Sequence, residues 1–348
     1  MATTLTVVLG GAWFIAAAGA CGGEDDGRGS AGPGIGSVGQ DGPTGSSGDA
    51  GGTAGPGGTQ SSADGSAGDG ASDTDGVKFD IPPGGDVMLD DGCAAVDFLF
   101  VIDNSISMQD QQDALKAAFP EFITTIETTL PTTDYHIMVA DTDADGRCSP
   151  GTCSHSTCQE AGQYACGAIF DACDTTRGAG VVHPAGQGAS NTLCTLAGGN
   201  RYIEEGQPDL EGTFDCIASV GLAGNASERP LDGMVEAVSG PLNAAGGCNE
   251  GFVRDEAILV VTFVSDDPNV EDQNSAQQAY DAVVAAKNGN ADAIVMLGLI
   301  NGGQAHWVNF ISMFGARGIQ ADVNGTDYNQ FFLEAVGIIE DTCLDFEG

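Results

Sequence analysis

The sequence predicts an α/β domain in which a mostly parallel central sheet lies between helical layers, carrying a disulfide-rich insertion and preceded by a disordered tether. Three observations carry this expectation. Nearly unbroken apolar runs of strand length occur at residues 96–102 (VDFLFVI), 257–264 (AILVVTFV) and 293–300 (AIVMLGLI), as suits parallel strands covered on both faces. Apolar residues at helical spacing alternate with these runs, which implies right-handed βαβ crossovers. Before about residue 92, large apolar residues almost vanish while Gly, Ser and Asp crowd together, so that stretch cannot offset the entropy of ordering its backbone.

The strand at 96–102 runs directly into D103-N-S105-I-S107-M. After it, Leu115, Ala118, Phe119, Phe122, Ile123, Ile126 and Leu130 fall at helical spacing, with Pro120 as a kink point. A second strand is expected at 135–140. An insertion of about sixty residues follows, at about 142–200, and then a helix near Phe214 and another after the loop GLAGNASERPL. Helices are expected at 275–287, at 304–314, and near the end, where Tyr328, Phe331, Phe332, Ala335, Val336 and Ile339 repeat. The DxSxS segment therefore lies beyond the carboxyl end of a central strand, the edge where open α/β sheets bind ligands.

Residues 1–20 read as a signal segment. Its apolar core LTVVLGGAWFIAAAGA is too short for a comfortable membrane span and stops at Cys21. Ala18, Gly19 and Ala20 before that cysteine resemble a bacterial lipobox, which implies a diacylglycerol on Cys21; an ordinary secretory signal cut near Ala20 is the alternative. Gly22 and Gly23 after it, with no adjacent Asp, resemble lipoproteins sorted to the outer membrane, facing the periplasm or the cell surface. Residues 21–92 then form a tether whose Gly/Ser-rich chain spans roughly 45–50 Å, and residues 93–348 form the folded domain.

The formal charge is −40, from 50 acids against 10 bases. Attraction to nucleic-acid phosphate or to an anionic membrane surface is excluded on that balance, and contact with a membrane is expected through the lipid alone. Eleven cysteines without paired CxxC spacing point to disulfides in an oxidising compartment. Setting Cys21 aside leaves an even number. Cys93 and Cys343 bracket the domain and are expected to join its ends; Cys216 and Cys248 flank the GLAGNASERPL loop with its helix and are expected to pair. Cys148, Cys153, Cys158, Cys166, Cys173 and Cys194 fill the insertion, and spacing does not choose among their pairings.

Hydroxyl and carboxylate oxygens at Asp103, Ser105 and Ser107 suit a hard cation such as Mg²⁺, or Mn²⁺ or Ca²⁺. Ser105 and Ser107 capping the following helix is the simpler reading. A buried strand ending in DxSxS, a helix, and a later strand ending in Asp resemble the metal-ion-dependent adhesion site of von Willebrand factor A domains. FLFVIDNSISM and CNEGFVRDEAILVVTFVSDD are similar to secreted von Willebrand factor A-like lipoproteins of Gram-negative bacteria with large genomes, and the resemblance covers about residues 93–343.

The resemblance implies a Rossmann-like fold, a cation held by Asp103, Ser105 and Ser107, and Asp266 closing the site directly or through water, with Asp267 able to substitute. It also implies a threonine ligand, for which Ser227 is the nearest hydroxyl here. The function implied is a metal-dependent adhesion module, in which an acidic group of a protein or glycan completes the cation's shell. The alternative is a structural acidic envelope lipoprotein with a vestigial site.

DTDADG, at residues 141–146, resembles the first half of a calcium loop, but Thr152 stands at its twelfth position where an acid is needed, so it reads as a solvated turn. His136, His155, His183 and His306 show no zinc-binding spacing. No nucleophile elbow or Cys/His pair marks an enzyme.

Overall fold

The computed structural model describes residues 93–130, 134–142, 171–224, 228–268, 271–325 and 327–346. The signal segment, Cys21, the tether, Ser227, most of the DTDADG turn, His155, and Cys148, Cys153, Cys158 and Cys166 lie outside the described residues.

Among the described residues six strands, β1 Ala95–Ile102, β2 Tyr135–Asp141, β3 Ile203–Glu204, β4 Ala257–Ser265, β5 Ile294–Ile300 and β6 Gly318–Asp322, form one sheet in the order β3-β2-β1-β4-β5-β6. All neighbouring pairs are parallel except β2 with β3. Among the described residues seven α-helices accompany them: α1 Gln109–Thr129, α2 Leu210–Ala218, α3 Pro230–Ala237, α4 Gly240–Asn243, α5 Ala276–Ala286, α6 Ala305–Ser312 and α7 Tyr328–Asp345. The short edge strands β3 and β6 were not expected. Pro120 sits inside α1 without ending it.

Strand periodicity sorts the core into two layers. Phe98, Phe100 and Ile102 of β1, with Val260 and Val264 of β4, pack against α1, α2 and α7 through Phe119, Phe122, Phe214 and Phe332. The alternate residues Leu99, Val101, Leu259, Val261 and Phe263 pack against α3, α5 and α6 through Met234, Val283, Trp307 and Phe310. A Cβ at Gly298 of β5, on that second face, would lie 2.5 Å from Ile311 Cδ1, so a larger residue there would make the end of the Ile311 side chain shift.

The chain leaves β1 through α1 on the first face and leaves β4 through α5 on the second. The crossovers therefore diverge between β1 and β4. That divergence opens a crevice at the carboxyl ends of these two strands, the switch point of a doubly wound sheet.

Cys93 is bonded to Cys343, Cα to Cα 4.7 Å. The expected Cys216–Cys248 pair is corrected: Cys216 bonds Cys194 and Cys248 bonds Cys173. The sheet itself separates the two expected partners. Cys216 rides on α2 in the first layer, where Cys194 is also buried. Cys248 follows α3 of the second layer, and its neighbour Asn249 donates to Gly178 O and Ala237 O and accepts from Gly180 N–H, which brings it beside Cys173.

Candidate functional site

Register places the site. Ile102 is paired with Asp141 on one side and Val264 on the other, so Asp103 emerges at the crevice, its N–H donating to Val264 O at 2.9 Å. The Asp103 side chain is fully buried. Its Oδ1 accepts from Ser105 N–H at 2.8 Å, and its Oδ2 accepts from the Ser265 hydroxyl at 2.7 Å. Burial pushes its carboxyl up to about 6, against these hydrogen bonds, and the charge of Asp266 adds to the rise.

Ser105 and Ser107 do not cap α1. The cap position is Met108, with no side-chain capping bond. The two hydroxyls lie 3.2 Å from each other instead, Ser105 half-buried and Ser107 exposed. Capping, the simpler reading of these serines, is therefore replaced by a pair of hydroxyls beside a buried carboxylate.

Asp103 also has no counter-ion among the described residues. The buried Asp97, Asp174 and Asp232 each meet an arginine, namely Arg254, Arg201 and Arg229. Asp103 and Asp266 meet no basic side chain among the described residues, although a buried carboxylate is costly unless a cation or hydrogen bonds stabilise it. In the same loop Asn104 Oδ1 is buried with no hydrogen-bond partner among the described residues. Both Asp103 oxygens accept hydrogen bonds, and an oxygen-rich crevice without a basic side chain among the described residues could hold a hard divalent cation. No group of three His, Cys, Asp or Glu side chains placed to hold a metal ion occurs among the described residues.

The rim is fastened from several directions. Gln112, buried on α1, donates to Asp103 O at 3.0 Å and Gly221 O at 2.9 Å, and its Oε1 accepts from Gly221 N–H. Gly224 N–H donates to Asn104 O at 2.9 Å, and a Cβ at Gly224 would lie 1.9 Å from Asn104 Oδ1. Residues 221–224 thus lie directly on the Asp103 loop, just before Ser227, which itself is outside the described residues. Immediately after it Glu228 is fully buried and accepts from the Thr142 hydroxyl at the end of β2.

On the β4 side Asp266 is half-buried. Its carbonyl accepts from Asn301 Nδ2 at 3.3 Å, while Asp267 N–H donates to Ser265 Oγ at 3.1 Å and Asp267 O accepts from Trp307 Nε1 at 3.1 Å. The structure thus brings Asp103, Ser105, Ser107 and Asp266 to one crevice.

Sequence reasoning missed Ser265 and Gln112. Each had a signal: Ser265 is a hydroxyl at the end of an apolar strand, and Gln112 is a polar residue among the apolar positions of α1.

Comparison with protein-family models and with curated proteins gives no match.

Proposed function

We propose that this chain is a divalent-cation-dependent binding module of the von Willebrand factor A type, held to a bacterial envelope by a lipid on Cys21. Mg²⁺, or Mn²⁺ or Ca²⁺ in its place, is held by Asp103, Ser105 and Ser107, with Asp266 and Ser227 contributing directly or through water. A carboxylate from a protein or glycan ligand takes the remaining coordination position. A cation with few direct anionic ligands stays electrophilic and favours such an acidic group.

One observation carries the reading: Asp103 is buried at the switch point with no basic partner among the described residues, beside two serine hydroxyls that pair with each other rather than capping α1. The sheet order and the doubly wound layers support it.

A second reading has its own support. Both Asp103 oxygens already accept hydrogen bonds, as a vestigial site in a structural acidic lipoprotein would arrange. Calorimetric titration of the full-length chain with Mg²⁺ separates the two. Saturable heat in the wild type that is lost in Asp103→Ala supports the binding module, and identical traces reject it.

A further inference from the structure

We infer that Asp232 and Asp272 form a reciprocal, proton-operated clasp that fastens residues 272–274 against the start of α3.

The geometry is symmetric in kind. Helix α3 opens with Pro230, so its first orphan amides are those of Leu231 and Asp232. The Asp272 carboxylate accepts both, at 3.3 and 2.8 Å. The Asp232 carboxylate in turn accepts the amides of Gln273 and Asn274, at 2.9 and 3.0 Å, together with Asn274 Nδ2 at 2.5 Å. Each aspartate therefore satisfies the backbone of the other's segment. Neither bond set depends on a cation.

The charges facing the pair are unequal. Arg229, at the cap of α3, contacts Asp232 at 2.6 Å. One turn further along α3, Glu236 is paired with Arg177 of the segment before β3. Glu271, exposed, precedes Asp272 in the loop. Asp232 thus holds its negative charge. Burial and then the charge of Asp232 push Asp272 up to about 7, against the amides it accepts and the more distant Arg229. Asp232 is held below the ordinary value, because the Gln273, Asn274 and Arg229 hydrogen bonds outweigh its burial.

The closed clasp therefore binds the Asp272 proton more tightly than a released loop does. Falling pH closes it. Between about pH 4 and about pH 7 the closing equilibrium weakens about tenfold per pH unit as pH rises, and above that it levels off.

The test is amide hydrogen exchange by NMR on the cation-free full-length chain, corrected for the intrinsic rate. In the wild type, protection at Leu231, Asp232, Gln273 and Asn274 should fall about tenfold per pH unit from about pH 5 to about pH 7. Asp272→Asn, which mimics the protonated carboxyl, should remove the pH dependence and keep the protection. Asp232→Asn should lower protection at Gln273 and Asn274 at every pH. A flat wild-type profile, or an Asp272→Asn profile matching the wild type, overturns the clasp. A chain that passes this test yet shows no Mg²⁺ heat keeps the clasp and loses the cation site.

Discussion

Ser265, the last residue of β4, donates its hydroxyl hydrogen to Oδ2 of Asp103, the residue just beyond β1, at 2.7 Å, and its own oxygen accepts the amide of Asp267 at 3.1 Å. One hydroxyl thus joins the two strand ends that flank the crevice. Ser265→Ala should cost about 1–3 kcal/mol of stability, since a buried charged acceptor loses a donor. It should also weaken Mg²⁺ binding by leaving Asp103 free to turn. Urea unfolding and calorimetry on the same variant check both effects.

Asp103 makes a signed pH prediction. Its carboxyl is raised from 3.8 to about 6, so the folded chain holds this proton more tightly than the unfolded chain. The cation-free protein should therefore lose stability from this group as pH rises from about 4 to about 6, by at most about 3 kcal/mol. Asp103→Asn should remove that slope, as read by urea midpoints across the interval. Cation binding needs the ionised form, so Mg²⁺ affinity should fall about tenfold for each pH unit below about 6.

A non-reducing peptide map should recover Cys194 with Cys216 and Cys173 with Cys248, and no Cys216–Cys248 fragment. Replacing Cys194 and Cys216 together by Ser should cost about 3 kcal/mol, the loop-closure value for a crosslink of sequence separation 22. Because Cys216 follows Phe214 on α2, and α2 leads into the 221–224 segment lying on Asn104, the same variant should weaken cation binding while leaving the β-sheet intact.

The central strands were legible because β1, β4 and β5 are buried on both faces and so write continuous apolar runs, and the start of α5 was legible in Ser275, which forms a capping box with Gln278. The edges were not. Ile203–Glu204 is a two-residue antiparallel strand, and Gly318–Asp322 alternates half-buried with exposed residues, so neither produces an apolar run.

At the site, Asp103 and Asp266 were readable as acids at strand ends, but their fixing partners were not all so local. Gln112 reaches Gly221, and Asp232 reaches Asp272, across sequence separations of 109 and 40. Such contacts come from the layering of the fold. The mistaken Cys216–Cys248 pairing has the same origin: the cysteines flank one loop in sequence while the helices carrying their surroundings pack on opposite faces of the sheet.

Paramagnetic broadening by substoichiometric Mn²⁺, read on the backbone amides of the full-length chain, tests the central claim most directly. Broadening centred on Asp103, Ser105, Ser107 and Asp266, displaced by Mg²⁺ and abolished in Asp103→Ala, is the predicted result. Broadening spread over the acidic surface and indifferent to Asp103 would contradict it.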